Sequence, residues 1–206
     1  MPDFALERAA GAGEVLVAGI DEAGRGTLAG PVVAAAVVFD RPKLPRNVAR
    51  AINDSKLLLP AERLRLAPVI ASHGRIGIGW ATVVEIDQIN ILRATLLAKR
   101  RAVDRLGVVP AVALVDGTVP PNLPCAVRTV VDGDRLSLCI AAASIIAKVT
   151  RDRIMTGLAY AYPGYGWQRN AGYGTPEHQA AIERLGITPQ HRRSFRPISQ
   201  LMLPNL

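Results

Sequence analysis

Two acidic residues stand side by side at Asp21 and Glu22, at the end of the apolar run VLVAGI, and the chain then bends through Gly24, Arg25 and Gly26. Side chains alternate faces along a strand, so adjacent carboxylates serve one site only where the strand ends and the backbone swings, which flanking glycines permit. Two more apolar runs close in the same way, with Asp116 in AVALVDG and with Asp132 and Asp134 in VVDGD. A single Asp-Gly is most simply a turn. Three strand ends that each carry an acid and a glycine describe a converging set of hard oxygen donors instead. Mg2+ requires such donors, and an ion held there performs phosphoryl chemistry by activating water and stabilising a leaving oxygen.

Other chemistries are poorly represented. There is no HExxH, and His73, His178 and His191 share no metal-ligand spacing. His178, in the first turn of a helix capped by Thr175 with Pro176 behind it, reads as a surface residue. Neither GxSxG nor a P-loop occurs, and GRG after a strand is not the dinucleotide fingerprint.

The elements that must position the acids can be read from periodicity. Val15 to Ile20 and Pro31 to Phe39 are continuous apolar strands, and RIGIGWATV from Arg75 alternates as a third, its glycines marking a close backbone approach or a bulge. Short links between them suggest an antiparallel start. EIDQINILRATLLAKRRAVDRLG has a helical period with Gly107 placed to end it, and Lys99, Arg100 and Arg101 read as its solvated face. AVALVD follows as a buried strand, so strand, helix and strand form a parallel crossover. CAVRTVV gives a fifth strand and SLCIAAASIIAKVTRDRIMTGLAYAY a long apolar helix. The segment after Tyr162 is rich in Gly, Tyr and basic residues, and Tyr162, Tyr165, Trp167 and Tyr173 read by themselves as a loop-packing cluster. The fold class is α/β, a mixed five-stranded sheet flanked by helices with a small C-terminal helical lobe.

The chain has 206 residues, 50% of them hydrophobic and 20% charged, which suits one ordinary domain with a substantial core and excludes disorder. A net charge of +8 favours a polyanionic partner, nucleic acid first. Cys125 and Cys139 form no CxxC pattern and suit reduced thiols in the cytoplasm. The N-terminus lacks a signal-peptide apolar region, and the runs VVAAAVVF and AAASIIA fall short of the roughly 20 residues that span a bilayer, so no membrane association is expected.

The segments GIDEAGRGTLAGPVVAAAV, NDSKLL, LVDG, GDRLSLCIAAASIIAKVTRD, YPGYGWQRNAGYGTPEH and LGITPQHRRSF together closely resemble the bacterial ribonuclease HII family, the type 2 ribonucleases H. The similarity covers nearly the whole chain after the first dozen or so residues. It implies an RNase H-like fold, with residues 1–206 as one catalytic domain whose helical lobe starts near 163. It also implies a monomer and endonucleolytic cleavage of the RNA strand of RNA/DNA hybrids. The same family incises 5′ of single ribonucleotides in duplex DNA, leaving 5′-phosphate and 3′-hydroxyl ends with Mg2+ or Mn2+ as cofactor.

Carried over by position, the resemblance makes Asp21, Glu22, Asp116 and Asp134 the catalytic, metal-binding acids and leaves Asp132 as a turn residue. Gly24, Arg25 and Gly26 would meet the ribose 2′-hydroxyl and the neighbouring phosphate. Tyr173 would pack on the sugar of the following nucleotide and sense the RNA-to-DNA junction. Lys56, Lys148, Arg151, Arg192 and Arg193 are basic groups able to meet phosphates, although each alone reads as a surface charge or as a partner of Asp152 or Glu177. The tail PISQLMLPNL has a glutamine ahead of apolar residues, as a sliding-clamp docking peptide would, and reads more simply as a frayed terminus. The rival readings are a structure-selective DNA nuclease of the same fold and a non-catalytic nucleic-acid-binding protein.

Overall fold

The computed structural model describes residues 1–39 and 44–201. Among these, the strands β1 (Val17–Ala23), β2 (Val32–Phe39), β3 (Gly74–Ala81), β4 (Val112–Asp116) and β5 (Ala126–Val130) form one sheet in the order β3-β2-β1-β4-β5. β2 lies antiparallel to β1 and β3, while β1, β4 and β5 run parallel. β1, β3 and β4 therefore point the same way, as the crossover pattern requires. The register sets Ile20 opposite Val115, so β1 and β4 deliver their C-terminal acids to one end of the sheet.

The helices are α1 (Ala5–Ala9), α2 (Arg46–Ala51), α3 (Pro60–His73), α4 (Val83–Asp104), α5 (Gly133–Leu136), α6 (Leu138–Ala161), α7 (Trp167–Asn170), α8 (Pro176–Leu185) and α9 (Ile198–Leu201). β2 is buried along its whole length, because α6 covers one face of the sheet and α4 the other. The glycines of β3 serve close approach rather than a bulge: a Cβ on Gly77 or Gly79 would collide with the carbonyls of Ala102 or Ala98 on α4. Gly19 does the same for α6, whose backbone at Cys139 and Ile140 occupies the space of its missing side chain.

Several expectations are corrected. β2 and β3 are not joined by a short link, since α2 and α3 lie between them. α4 is interrupted at Asn90, whose φ of 65° is left-handed, and it ends at Asp104 ahead of Gly107. The tail is helical as far as Leu201, with Ile198 fully buried in a small core that includes Tyr165, Trp167 and Ile182; residues 202–206 of the proposed clamp peptide lie outside the described residues. Among the described residues no helix is long and apolar enough to cross a membrane.

Candidate active site

Asp21 and Glu22 both sit within β1, yet both line one cavity of about 250 Å3 together with Gly24, Arg25, Gly26, Lys56, Asp116 and Tyr173. The strand bends where expected: Gly24 has a φ of 93°, a left-handed conformation suited to glycine, and a Cβ there would strike the Arg151 side chain. The Glu22 amide donates to Asp21 Oδ1 at 2.7 Å, which fixes the buried Asp21 carboxylate against its own turn.

Asp116, the last residue of β4, accepts at Oδ1 from the Gly133 amide at 2.8 Å. That bond ties it to the segment carrying Asp134, which is buried in α5. Asp132 is the left-handed residue that starts this short helix, with φ of 52°, in keeping with its reading as a turn former. Asp134 Oδ2 accepts from Lys56 Nζ at 3.0 Å, and the loop bearing Lys56 is pinned by Arg63, which donates to the Ser55 and Leu58 carbonyls at 2.8 and 2.6 Å.

Electrostatics confirm that negative charge is crowded here. Burial first, and then the charges of Glu22 and Asp116, push the Asp21 carboxyl well above the ordinary carboxylate range, against the opposing pull of Lys99. Asp116 is also raised, by burial first and by Asp134 and Glu22 in addition. Among the described residues no three carboxylates, imidazoles or thiolates are yet drawn together as a coordination cluster. Two lysines pair with these acids: Lys56 with Asp134, and Lys99, whose Nζ lies 2.7 Å from Glu22 Oε2.

Lys99 is thus not on the solvated face of α4. It is 3% exposed, and its ammonium donates to the Asp116 carbonyl at 2.7 Å while facing Glu22 Oε2. Glu22 Oε2 is charge-paired with the same ammonium at 2.7 Å but makes no well-aligned hydrogen bond. A signal was present in the sequence: Lys99 falls on the same helical stripe as Thr95, Ala98, Ala102 and Val103, all of them buried. Of its neighbours, Arg101 pairs with Glu85 at 2.7 Å, and Arg100 remains largely exposed.

The other basic residues divide clearly. Lys148 pairs with Asp152 at 2.8 Å at the rim of the cavity, and the Arg193 side chain is exposed. Arg151 and Arg192 are fully buried and cannot meet a phosphate. Arg151 donates to the carbonyls of Ala29, Pro31 and Ala171 and to the Thr27 hydroxyl, at 2.9 to 3.0 Å. Arg192 donates to the carbonyls of Gly24, Arg25 and Gly30 at 2.6 to 3.0 Å. Burial pushes Arg151 down to about 10 and, with the charge of Arg151 added, Arg192 down to about 9, so both remain cations near neutrality. Arg192 therefore holds the Gly24-Arg25-Gly26 turn from beneath, and Arg151 packs against Gly24 while holding the segment that follows the turn. The Arg25 side chain stays half-exposed, with Nη1 3.3 Å from Glu22 Oε1.

Tyr173 is 45% exposed at the cavity, whereas Tyr165 and Trp167 are buried in the packing cluster expected for all four aromatics. What seats Tyr173 is His178, which is fully buried rather than at the surface. The Nδ1–H of His178 donates to the Tyr173 carbonyl at 2.9 Å, which leaves Nε2 to accept from Trp167 Nε1 at 2.9 Å and from His191 Nε2 at 3.1 Å. His191 Nδ1 in turn accepts from the Thr188 amide at 2.9 Å. Every ring nitrogen is used by a neutral imidazole, and burial lowers His178 and lowers His191 to about 4.

The family model described as ribonuclease HII matches residues 18–198. A ribonuclease HII from Paramagnetospirillum magneticum is 57% identical over 203 residues, covering 98% of this chain and all of that protein. Among solved structures, the ribonuclease H2 of Pyrococcus horikoshii superposes with a TM-score of 0.74 at 28% identity, covering 90% of this chain and 96% of that one. The ribonuclease HII of Archaeoglobus fulgidus, solved in complex with PCNA, superposes with a TM-score of 0.72 at 25% identity, covering 88% and 96%.

Proposed function

The chain belongs to the ribonuclease HII family and is an endonuclease of the ribonuclease H type; from that premise we propose that it cleaves the RNA strand of RNA/DNA hybrids and incises 5′ of single ribonucleotides embedded in duplex DNA, in a reaction that depends on a divalent cation. The observation that carries this reading is the single cavity shared by Asp21, Glu22, Asp116, the Gly24-Arg25-Gly26 turn and Tyr173.

The donor set fits Mg2+ or Mn2+. Asp21, Glu22, Asp116 and Asp134 are hard oxygen donors, and the carboxyls of Asp21 and Asp116, raised by burial first and by neighbouring acids second, would be stabilised as carboxylates by a divalent cation. Lys56, whose side chain is 77% exposed, is free to swing off Asp134 when an ion enters. Bound there, the ion would activate a water and stabilise the leaving 3′-oxygen.

The protein's own groups supply selectivity. The turn carries no side-chain bulk at Gly24 and Gly26 and is held rigid by Arg192, so main-chain groups can approach a ribose 2′-hydroxyl closely, and Arg25 can reach the adjacent phosphate. Tyr173 offers an exposed ring to the flat face of the following deoxyribose, against which a 2′-hydroxyl would project. Lys56 and Lys148 add positive charge along the phosphate path.

The test is a duplex carrying one ribonucleotide, incubated with Mg2+ or Mn2+ and with EDTA. Incision 5′ of the ribonucleotide, abolished by EDTA and absent from the all-DNA duplex, is expected. Equal cleavage of the all-DNA duplex would reject the 2′-hydroxyl reading, and incision undiminished by EDTA would reject the metal.

A further inference from the structure

We propose that Lys99 is a resident cation of the acid cluster, a positioning residue that holds the Glu22 carboxylate and limits how tightly the four acids take up a divalent ion. The inference deepens the metal reading above and rests on it.

Among the described residues, three positive side chains touch the cluster, and they differ in their freedom to leave. Lys56 and Arg25 have side chains 77% and 50% exposed, so each can rotate into solvent when a metal ion or a phosphate arrives. Lys99 cannot. Its side chain is 4% exposed, and its ammonium is held between Glu22 Oε2 on β1 and the Asp116 carbonyl on β4, at 2.7 Å to each. The glycines of β3 let α4 lie close enough to the sheet for that reach, since side chains at Gly77 and Gly79 would push the helix away.

Two consequences follow. One oxygen of Glu22 is committed to an ammonium, so this residue offers a metal ion chiefly Oε1, the oxygen that Arg25 approaches. A fixed positive charge beside the acids also repels any further cation, and in a largely buried site that repulsion is poorly screened. Lys99 balances part of the carboxylate charge while the site is empty and opposes an incoming ion. The trade is apo-state stability against metal affinity.

Removing the charge separates these effects. Mn2+ binding is measured by the loss of the free-ion EPR signal on titration of the wild type, Lys99→Met and Asp116→Asn, with melting temperatures recorded in EDTA. Lys99→Met is expected to bind Mn2+ about tenfold more tightly than the wild type and to melt lower without metal. A merely structural loss would weaken binding instead. If Lys99→Met does not fold, Lys99→Gln, which keeps a donor for the Asp116 carbonyl, is expected to tighten binding in the same way. Unchanged or weaker Mn2+ affinity in the folded variant, with binding still lost in Asp116→Asn, overturns the role of Lys99 alone. Binding that survives Asp116→Asn unchanged overturns the metal reading and this inference together.

Discussion

Arg192 donates from Nη2 to the Gly24 carbonyl at 2.6 Å, joining two residues 168 positions apart in the chain. With the bonds to Arg25 and Gly30, one buried guanidinium satisfies the inner side of the Gly24-Arg25-Gly26 turn. Arg192→Met would leave the Arg25 and Gly30 carbonyls without the guanidinium and Gly24 with the Thr27 hydroxyl as its remaining donor, and we expect a loss of roughly 3 kcal/mol in stability together with impaired cleavage. Arg192→Lys, with all its donors on one atom, should recover only part of both. Urea unfolding and incision assays on the two variants measure this, and a wild-type midpoint for Arg192→Met would refute it.

Asp21→Asn should reduce cleavage by about a hundredfold to a thousandfold while raising stability in EDTA at neutral pH. The sign follows from the raised carboxyl of Asp21. An acid held above its unfolded value makes folding less favourable as pH rises from the unfolded value, about 4, through the folded one. Asparagine removes that cost, so its advantage in melting temperature should be present at pH 8 and fade as pH falls towards 4. A lower melting temperature for the variant at pH 8 would contradict the burial argument.

The histidine pair predicts the opposite slope. His191 is lowered to about 4 and His178 is lowered as well, so the unfolded chain takes up protons that the native state refuses. The stability this pair confers is complete above about 6.5, the unfolded value, and is lost as pH falls to about 4. Trp167, bonded to His178, reports it directly. Its fluorescence in a Trp80→Phe background should shift with acid before global unfolding, and His191→Asn should flatten the pH dependence of the melting temperature. A slope unchanged in that variant would exclude the pair as its source.

Tyr173→Ala should lower incision at a single embedded ribonucleotide by about tenfold, the scale of one lost ring contact. The melting temperature should barely move, because the ring is already half in solvent. Equal rates on that substrate for the variant and the wild type would remove Tyr173 from junction recognition.

The acids were readable in the sequence because each set closes an apolar run with a glycine within two residues, and runs of that kind become parallel neighbours such as β1 and β4. The supports were not. Arg151 and Arg192 look like phosphate ligands until their carbonyl partners, 20 to 168 residues away, are known. His178 sits at a position where a helix start is commonly wet, and only the packing of Trp167 and His191 around it makes it core. At Lys99 a run of three basic residues suggests water, although its helical stripe is mostly apolar. Local pattern reveals groups that follow strand ends, whereas groups satisfied by distant backbone leave no trace in their own neighbourhood.

Gly19 carries no chemistry, yet α6 rests against its bare α-carbon two residues before Asp21. Even a methyl group there would wedge α6 off β1 and, through the turn at Ser137, drag Asp134 away from Asp21 and Asp116. A random-mutagenesis screen scored on lost cleavage would therefore rank this uncharged position beside the acids themselves, and a map of such hits would outline the catalytic centre partly by what is missing from it.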